Sequence, residues 1–231
     1  MPATILITGA NRGIGLGFAQ AYLQRGDRVI ATCRKPKLAT ELQSLGEKYP
    51  TRLHIEQLDV TQPEDFARLK LKYSAYPIDV LINNAGIFPE EHDRKGVAHT
   101  NYQRLMAAFA TNAAGPLLAI QTFEPNLLQS SVPKIINMAS QLGSLEHANG
   151  FAYSYRMSKV ALNMLTRSFA AENDRIITVS LRPGWVQTPM GGGQAQISVA
   201  DSVEKMITII DNLTREDSGT FLDNEKHHCR W

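Results

Sequence analysis

Strand-type and helix-type segments alternate along nearly the whole chain, and few architectures accept that order. Apolar, β-prone runs occupy residues 3–8, 28–32, 52–58, 79–82, 134–138, 176–181 and 219–222. Segments with helical spacing of apolar residues fill 13–25, 38–48, 63–73, 102–129, 153–172 and 199–213. Strands joined through helices pair in parallel by right-handed crossovers. The order therefore predicts an α/β fold, a doubly wound three-layer sandwich with a seven-stranded parallel sheet and helices on both faces. No internal repeat or linker interrupts the series, so a single domain over 1–231 is expected, long enough for one sizeable core.

The first strand runs into Thr8-Gly9-Ala10-Asn11-Arg12-Gly13-Ile14-Gly15, and a helix follows. Glycines in such a turn let the backbone approach a pyrophosphate, whose charge the helix N-terminus favours. A plain glycine turn required for packing is the alternative reading of this cluster. In an NAD site the second strand ends near an acidic residue that holds the ribose, but here it ends Ala31-Thr32-Cys33-Arg34-Lys35. Arg34 and Arg12 suit a 2′-phosphate through charge-assisted hydrogen bonds, against the alternative of two solvated surface arginines. NADP(H) is thus the preferred cofactor and NAD(H) the second candidate.

Tyr155-Arg156-Met157-Ser158-Lys159 places a phenol and an ammonium four residues apart on one helix face. A phenol with its ordinary pKa near 10 is a poor acid–base group at neutral pH, and a neighbouring ammonium is expected to lower that value. Tyr153 has no lysine at that spacing. Ser140 follows an apolar strand and so falls at the carboxyl edge of the sheet, where ligands collect, with Ser144 as a rival by spacing. Thr111-Asn112-Ala113-Ala114-Gly115 puts two poor helix formers inside a long helical stretch, which suggests either a functional bend or a break between two helices. Asp59-Val60, Asn83-Asn84-Ala85-Gly86 and Pro183-Gly184-Trp185-Val186-Gln187-Thr188 follow the third, fourth and sixth strands.

These stretches, in this order from Thr8 to Thr188, resemble the short-chain dehydrogenase/reductase family with its Rossmann-type fold, in the compact single-domain branch of C-factor and sniffer-type carbonyl reductases. The resemblance implies an NADP(H)-dependent oxidoreductase moving hydride between nicotinamide and a ketone, aldehyde or alcohol carbon. It implies Ser140, Tyr155, Lys159 and Asn112 as the catalytic set, Asn112 bending its helix and holding a water that relays protons to Lys159. Lys159 would also hold the nicotinamide ribose and Asp59 the adenine, with Val60 beside it. Asn84, Ala85 and Gly86 would border the cofactor, and Pro183, Gly184, Val186 and Thr188 would face the nicotinamide. It also implies a homodimer or homotetramer through the two long helices, whose outer faces carry apolar residues such as Met106, Phe109, Leu117, Leu162, Leu165 and Phe169, which periodicity alone does not assign to an interface rather than the core. A dinucleotide-binding signalling protein and an epimerase or dehydratase are the rival readings.

Lys+Arg exceeds Asp+Glu by 24 − 22 = 2 without a basic run, so neither a nucleic-acid nor a membrane surface is expected. Cys33 and Cys229 form no metal or disulfide spacing, and the adjacent His227, His228 and Cys229 point in different directions, so no metal is expected. The apolar run at the N-terminus is too short for a signal segment, and a cytoplasmic location is expected. The short Gly-rich loop 190–198 reads as an open pocket with a mobile lid.

Overall fold

The computed structural model describes residues 2–90 and 96–231. Its seven strands are β1 (Thr4–Ile7), β2 (Arg28–Cys33), β3 (Leu53–Gln57), β4 (Val80–Asn83), β5 (Lys134–Met138), β6 (Ile177–Leu181) and β7 (Phe221–Leu222). They form one sheet in the order β3-β2-β1-β4-β5-β6-β7, and every pair is parallel. The chain builds outward from β1 to β3 and then returns to place β4 on the other side of β1. That reversal opens a crevice at the carboxyl ends of β1 and β4, the usual ligand position in such sheets.

The helices are α1 (Gly13–Arg25), α2 (Thr40–Lys48), α3 (Pro63–Lys72), α4 (Tyr102–Phe109), α5 (Gly115–Leu127), α6 (Tyr153–Glu172) and α7 (Val199–Asp211). Strands covered on both faces must be apolar throughout, and β1 is buried at all four positions. Its alternate side chains serve two cores. Ile5 and Ile7 pack with Phe18, Leu23, Leu42 and Met206 from α1, α2 and α7. Leu6 packs with Phe66, Leu69, Ile120 and Phe123 from α3 and α5, and with Phe169 from α6. Among the described residues no helix is long and apolar enough to cross a membrane.

Three expectations need correction. The stretch 102–129 is neither one bent α-helix nor two separated ones: α4 and α5 join through a π-helical turn, Ala110–Ala114, in which the Gly115 N–H donates to the Ala110 carbonyl. Leu162 and Phe169 do not lie on an outer face but are 1% and 8% exposed, because α6 leans that side on the sheet. Met106 and Leu117 are exposed as expected, at 48% and 41%. The segment read as an open lid is laced to itself: Trp185 Nε1 donates to the Gly191 carbonyl at 2.7 Å, Gly191 N–H to Thr188 Oγ1 at 3.0 Å, and Gln187 N–H to the Ile197 carbonyl at 2.9 Å.

Candidate active site

The crevice is closed at its base by the two loops that flank it. Asn84 Nδ2 donates to the carbonyls of Thr8 and Gly9 at 2.9 and 3.0 Å, and the N–H groups of Asn84 and Ala85 donate to Thr8 Oγ1 at 3.0 Å. This contact leaves no room for a side chain at Gly9, which has φ +66 and where a Cβ would stand 2.9 Å from Ala85 Cα. At Gly15 a Cβ would stand 2.4 Å from the Gly9 carbonyl oxygen. The glycine turn therefore serves close backbone approach.

The turn also fits an anion. Arg12 is the N-cap of α1 but supplies no side-chain cap, and no acidic residue stands in the first turn, so the helix N-terminus keeps its positive end. The side chains of Arg12 and Arg34 are exposed and have no hydrogen-bond or ion-pair partner among the described residues. The first turn meets the end of β2 through the bond from Ala10 N–H to the Thr32 carbonyl, 2.9 Å long. The two free guanidinium groups thus stand on adjoining segments. Asn11 and Ile14 line the same turn, half-buried. Asp59 uses Oδ1 to accept from Thr61 N and Oγ1 at 3.0 and 2.7 Å, and Val60 lies against Gly115, where a Cβ would stand 2.9 Å from its own.

The proton-handling residues come from three elements. Ser140 ends the strand-to-loop turn after β5 and accepts from Leu142 N–H at 3.2 Å. Tyr155 and Lys159 lie one turn apart on α6, with Lys159 Nζ 5.6 Å from the Tyr155 ring centroid. Asn112 sits in the π turn, where its side-chain amide faces the end of β4. Its Oδ1 accepts from Ile87 N–H at 2.8 Å, and its Nδ2 donates to the Ile87 carbonyl and to Ser158 Oγ, both at 2.9 Å. A Cβ on Gly86 would stand 3.3 Å from Asn112 Oδ1 and 3.8 Å from Lys159 Nζ, so this glycine separates the two groups narrowly.

Electrostatics depart from the expectation that Lys159 lowers the phenol. Burial pushes the Tyr155 phenol up to about 12, and a hydrogen bond from Ser140, which favours the phenolate, only opposes this. Burial likewise pulls the Lys159 ammonium down to about 8, while Nζ donates to the Met138 carbonyl at 2.7 Å. Desolvation wins because both groups lie inside the protein, 8% and 5% exposed.

Ser144, the rival by spacing, donates its hydroxyl to the Arg230 carbonyl at 2.8 Å and so ties its loop to the C-terminal segment. Tyr153 is half-buried, and its hydroxyl has no hydrogen-bond partner among the described residues. Arg156 turns away from the phenol and holds the loop before α6, donating to the Phe151 and His147 carbonyls at 3.0 and 3.1 Å. On the far side of the crevice, Gly184 adopts φ +82 and Val186 is buried, while Thr188 approaches the glycine turn: a Cβ on Gly13 would stand 3.4 Å from Thr188 Cγ2. Pro183 is anchored by its carbonyl, which accepts from Ser202 Oγ at 2.7 Å. Two neighbours of Tyr155 escaped sequence reasoning: Phe88, stacked on its ring, and Glu90, bonded to the adjacent residue.

The chain is similar to known proteins in sequence and in fold. A family model described as short chain dehydrogenase matches residues 3–197. The C-signal of Myxococcus xanthus is 40% identical over 158 residues, which cover 67% of this chain and 93% of that protein. The carbonyl reductase Sniffer of D. melanogaster superposes with a TM-score of 0.93 at 31% identity, over 100% of both chains. An NADPH-bound carbonyl reductase from chicken fatty liver superposes with a TM-score of 0.91 at 37% identity, over 100% of this chain and 94% of that one.

Proposed function

The chain belongs to the short-chain dehydrogenase family, and from that premise we propose that it is a cytoplasmic NADP(H)-dependent oxidoreductase that reduces a ketone or aldehyde to an alcohol, or runs the reverse reaction. The observation that carries the proposal is the convergence of Ser140 and Lys159 on a buried Tyr155, in a fold whose glycine turn and adjoining end of β2 carry two arginines without a side-chain partner among the described residues. Bound NADPH supplies the hydride. Arg12 and Arg34 hold its 2′-phosphate, Asp59 and Val60 border the adenine, and Asn84 to Gly86 form the crevice floor. Gly184, Val186 and Thr188 orient the nicotinamide end. Ser140 holds the substrate oxygen by its hydroxyl, and Tyr155 delivers a proton to that oxygen from Oη. Lys159 sustains charge beside the phenol, and Asn112 fixes the floor through Ile87 and the catalytic helix through Ser158.

The cofactor half of the proposal is tested by calorimetric titration with NADPH and NADH, in wild type and Arg34→Ala. Charge-assisted phosphate contacts stabilise by about 1.5–3 kcal/mol, so the variant should lose roughly 10- to 100-fold in NADPH affinity and little for NADH. Equal affinities in wild type would reduce the arginines to ordinary surface charges.

A second reading, a dinucleotide-binding signalling protein whose output is protein interaction, is favoured by the likeness to C-signal. Tight NADPH binding without turnover over a broad carbonyl panel would select it. For either reading we propose a homodimer or homotetramer, supported by the exposed Met106 and Leu117 on α4 and α5 and the exposed Met157 and Met164 on α6. Light scattering should report a multiple of the 25.6 kDa chain; a mass of one chain would overturn this.

A further inference from the structure

Three contacts fix the four residues that follow the crevice floor. Ile87 is held at both its N–H and carbonyl by the Asn112 amide. Phe88 stacks on Tyr155, with ring centroids 4.5 Å apart and planes 29° from parallel. Glu90, only 7% exposed, accepts from Ser154 N–H through Oε1 at 2.7 Å.

The last contact answers a local deficiency. Helices begin with unsatisfied N–H groups, normally met by a Ser, Thr, Asp or Asn at the N-cap. α6 begins instead at Ala152, which has no side-chain oxygen, adopts the left-handed region at φ 56, and is followed by a first turn without an acidic residue. Glu90, 64 residues earlier in the chain, supplies the acceptor, and a carboxylate is favoured there by the helix dipole. Ser154 immediately precedes Tyr155. The arrangement has no polar backup: Glu90 Oε2 and Ser154 Oγ are both buried and without a partner among the described residues.

We infer that Glu90 is a positioning residue for Tyr155: by capping α6 one residue before the phenol, it holds Phe88 on the ring and fixes where the proton donor sits. Only the kinetic part of its test rests on the proposed reductase activity. Displacing a reacting group by about 1 Å can cost on the order of 10²-fold, so Glu90→Ala and Phe88→Ala should each lower kcat for carbonyl reduction by roughly 10- to 100-fold. NADPH affinity should stay unchanged, since neither residue lies at the nucleotide turn. Glu90→Gln keeps an acceptor for the Ser154 N–H and should retain most of the turnover. The double variant Phe88→Ala/Glu90→Ala should lose little beyond either single one, because both act through one segment. Equal losses in Glu90→Gln and Glu90→Ala, or additive losses in the double variant, would overturn the inference. A readout independent of turnover is the ultraviolet titration of Tyr155, taken as the difference from Tyr155→Phe. Loss of the cap or the stacked ring admits water, so the phenol should titrate lower than in wild type, toward its ordinary value of 10.0. An unchanged titration in Glu90→Ala sinks the inference. Absence of carbonyl turnover in wild type, with a lowered titration in Glu90→Ala, counts against the reductase reading and supports the positioning role.

Discussion

Tyr155→Phe is expected to cut carbonyl reduction by roughly 10²- to 10⁴-fold, the usual contribution of a positioned acid–base group, while NADPH affinity stays within about twofold. The substitution is narrow. Phenylalanine keeps the ring that stacks against Phe88, so the packing around α6 survives and only the hydroxyl beside Ser140 is lost. Because burial pushes the phenol up to about 12, the proton stays on Tyr155 throughout the neutral range. A limb in the pH profile of wild-type reduction should therefore come from Lys159, whose ammonium gives up its proton near 8. kcat/KM for reduction should fall as pH rises through that value. Stopped-assay rates of wild type and variant from pH 6 to 10 test both statements, and retained turnover in Tyr155→Phe would remove the tyrosine from the chemistry.

The second large effect is a gain in stability at the expense of activity. The folded-state pKa of Lys159, about 8, lies below its ordinary value of 10.5, and burial is the cause. Between those values the unfolded chain binds more protons than the folded one, so stability rises with pH across that window. Below about 8 the buried ammonium costs the fold up to about 3 kcal/mol at 1.36 kcal/mol per pKa unit. Lys159→Met removes this charge with a side chain of similar length, at the loss of one hydrogen bond to the Met138 carbonyl. The variant should be inactive yet resist denaturant better than wild type at pH 7, with the advantage fading as pH approaches 10.5. Urea unfolding at pH 7 and pH 10 measures it; a variant less stable than wild type at pH 7 would show that the hydrogen bond outweighs the charge.

The sheet was legible because most of its strands read as short, largely apolar runs alternating with helical spacing, a pattern that needs no long-range information. The position of Tyr155 opposite Lys159 was legible for the same reason, since helical spacing fixes it. What spacing cannot convey is solvent exclusion. Burial raises the Tyr155 phenol, and Phe88, brought from another segment to stack on its ring, is among the groups that cover it, so an expectation built on the nearest charge alone points the other way. Ser140 stands ahead of Ser144 on sequence because it follows the apolar strand, and the structure adds that the Ser144 hydroxyl donates to the Arg230 carbonyl. Glu90 was invisible because an acidic residue in a loop ordinarily reads as solvated, and its burial is decided at a helix 64 residues away. Asn112 stands out in the sequence as a poor helix former, but its bonds to Ile87 and Ser158 from within a π turn depend on segments distant in the chain.

That turn also governs how the chain can change its length. The bond from Gly115 N–H to the Ala110 carbonyl spans one residue more than a regular helical turn encloses. The surplus residue advances α5 by about 100° around the axis relative to a direct continuation of α4. The helix thus works like two gears meshed at a chosen tooth: Asn112 is indexed to Ile87 in the loop after β4, and Ile120 and Phe123 of α5 to the sheet. Insertions or deletions that surface loops absorb without consequence would slip this mesh, turning either the amide or the apolar face away from its counterpart. Drift in length over generations should therefore collect outside Ala110–Ala114, and the residue count between Asn112 and Phe123 is as much a part of the candidate active site as the side chains themselves.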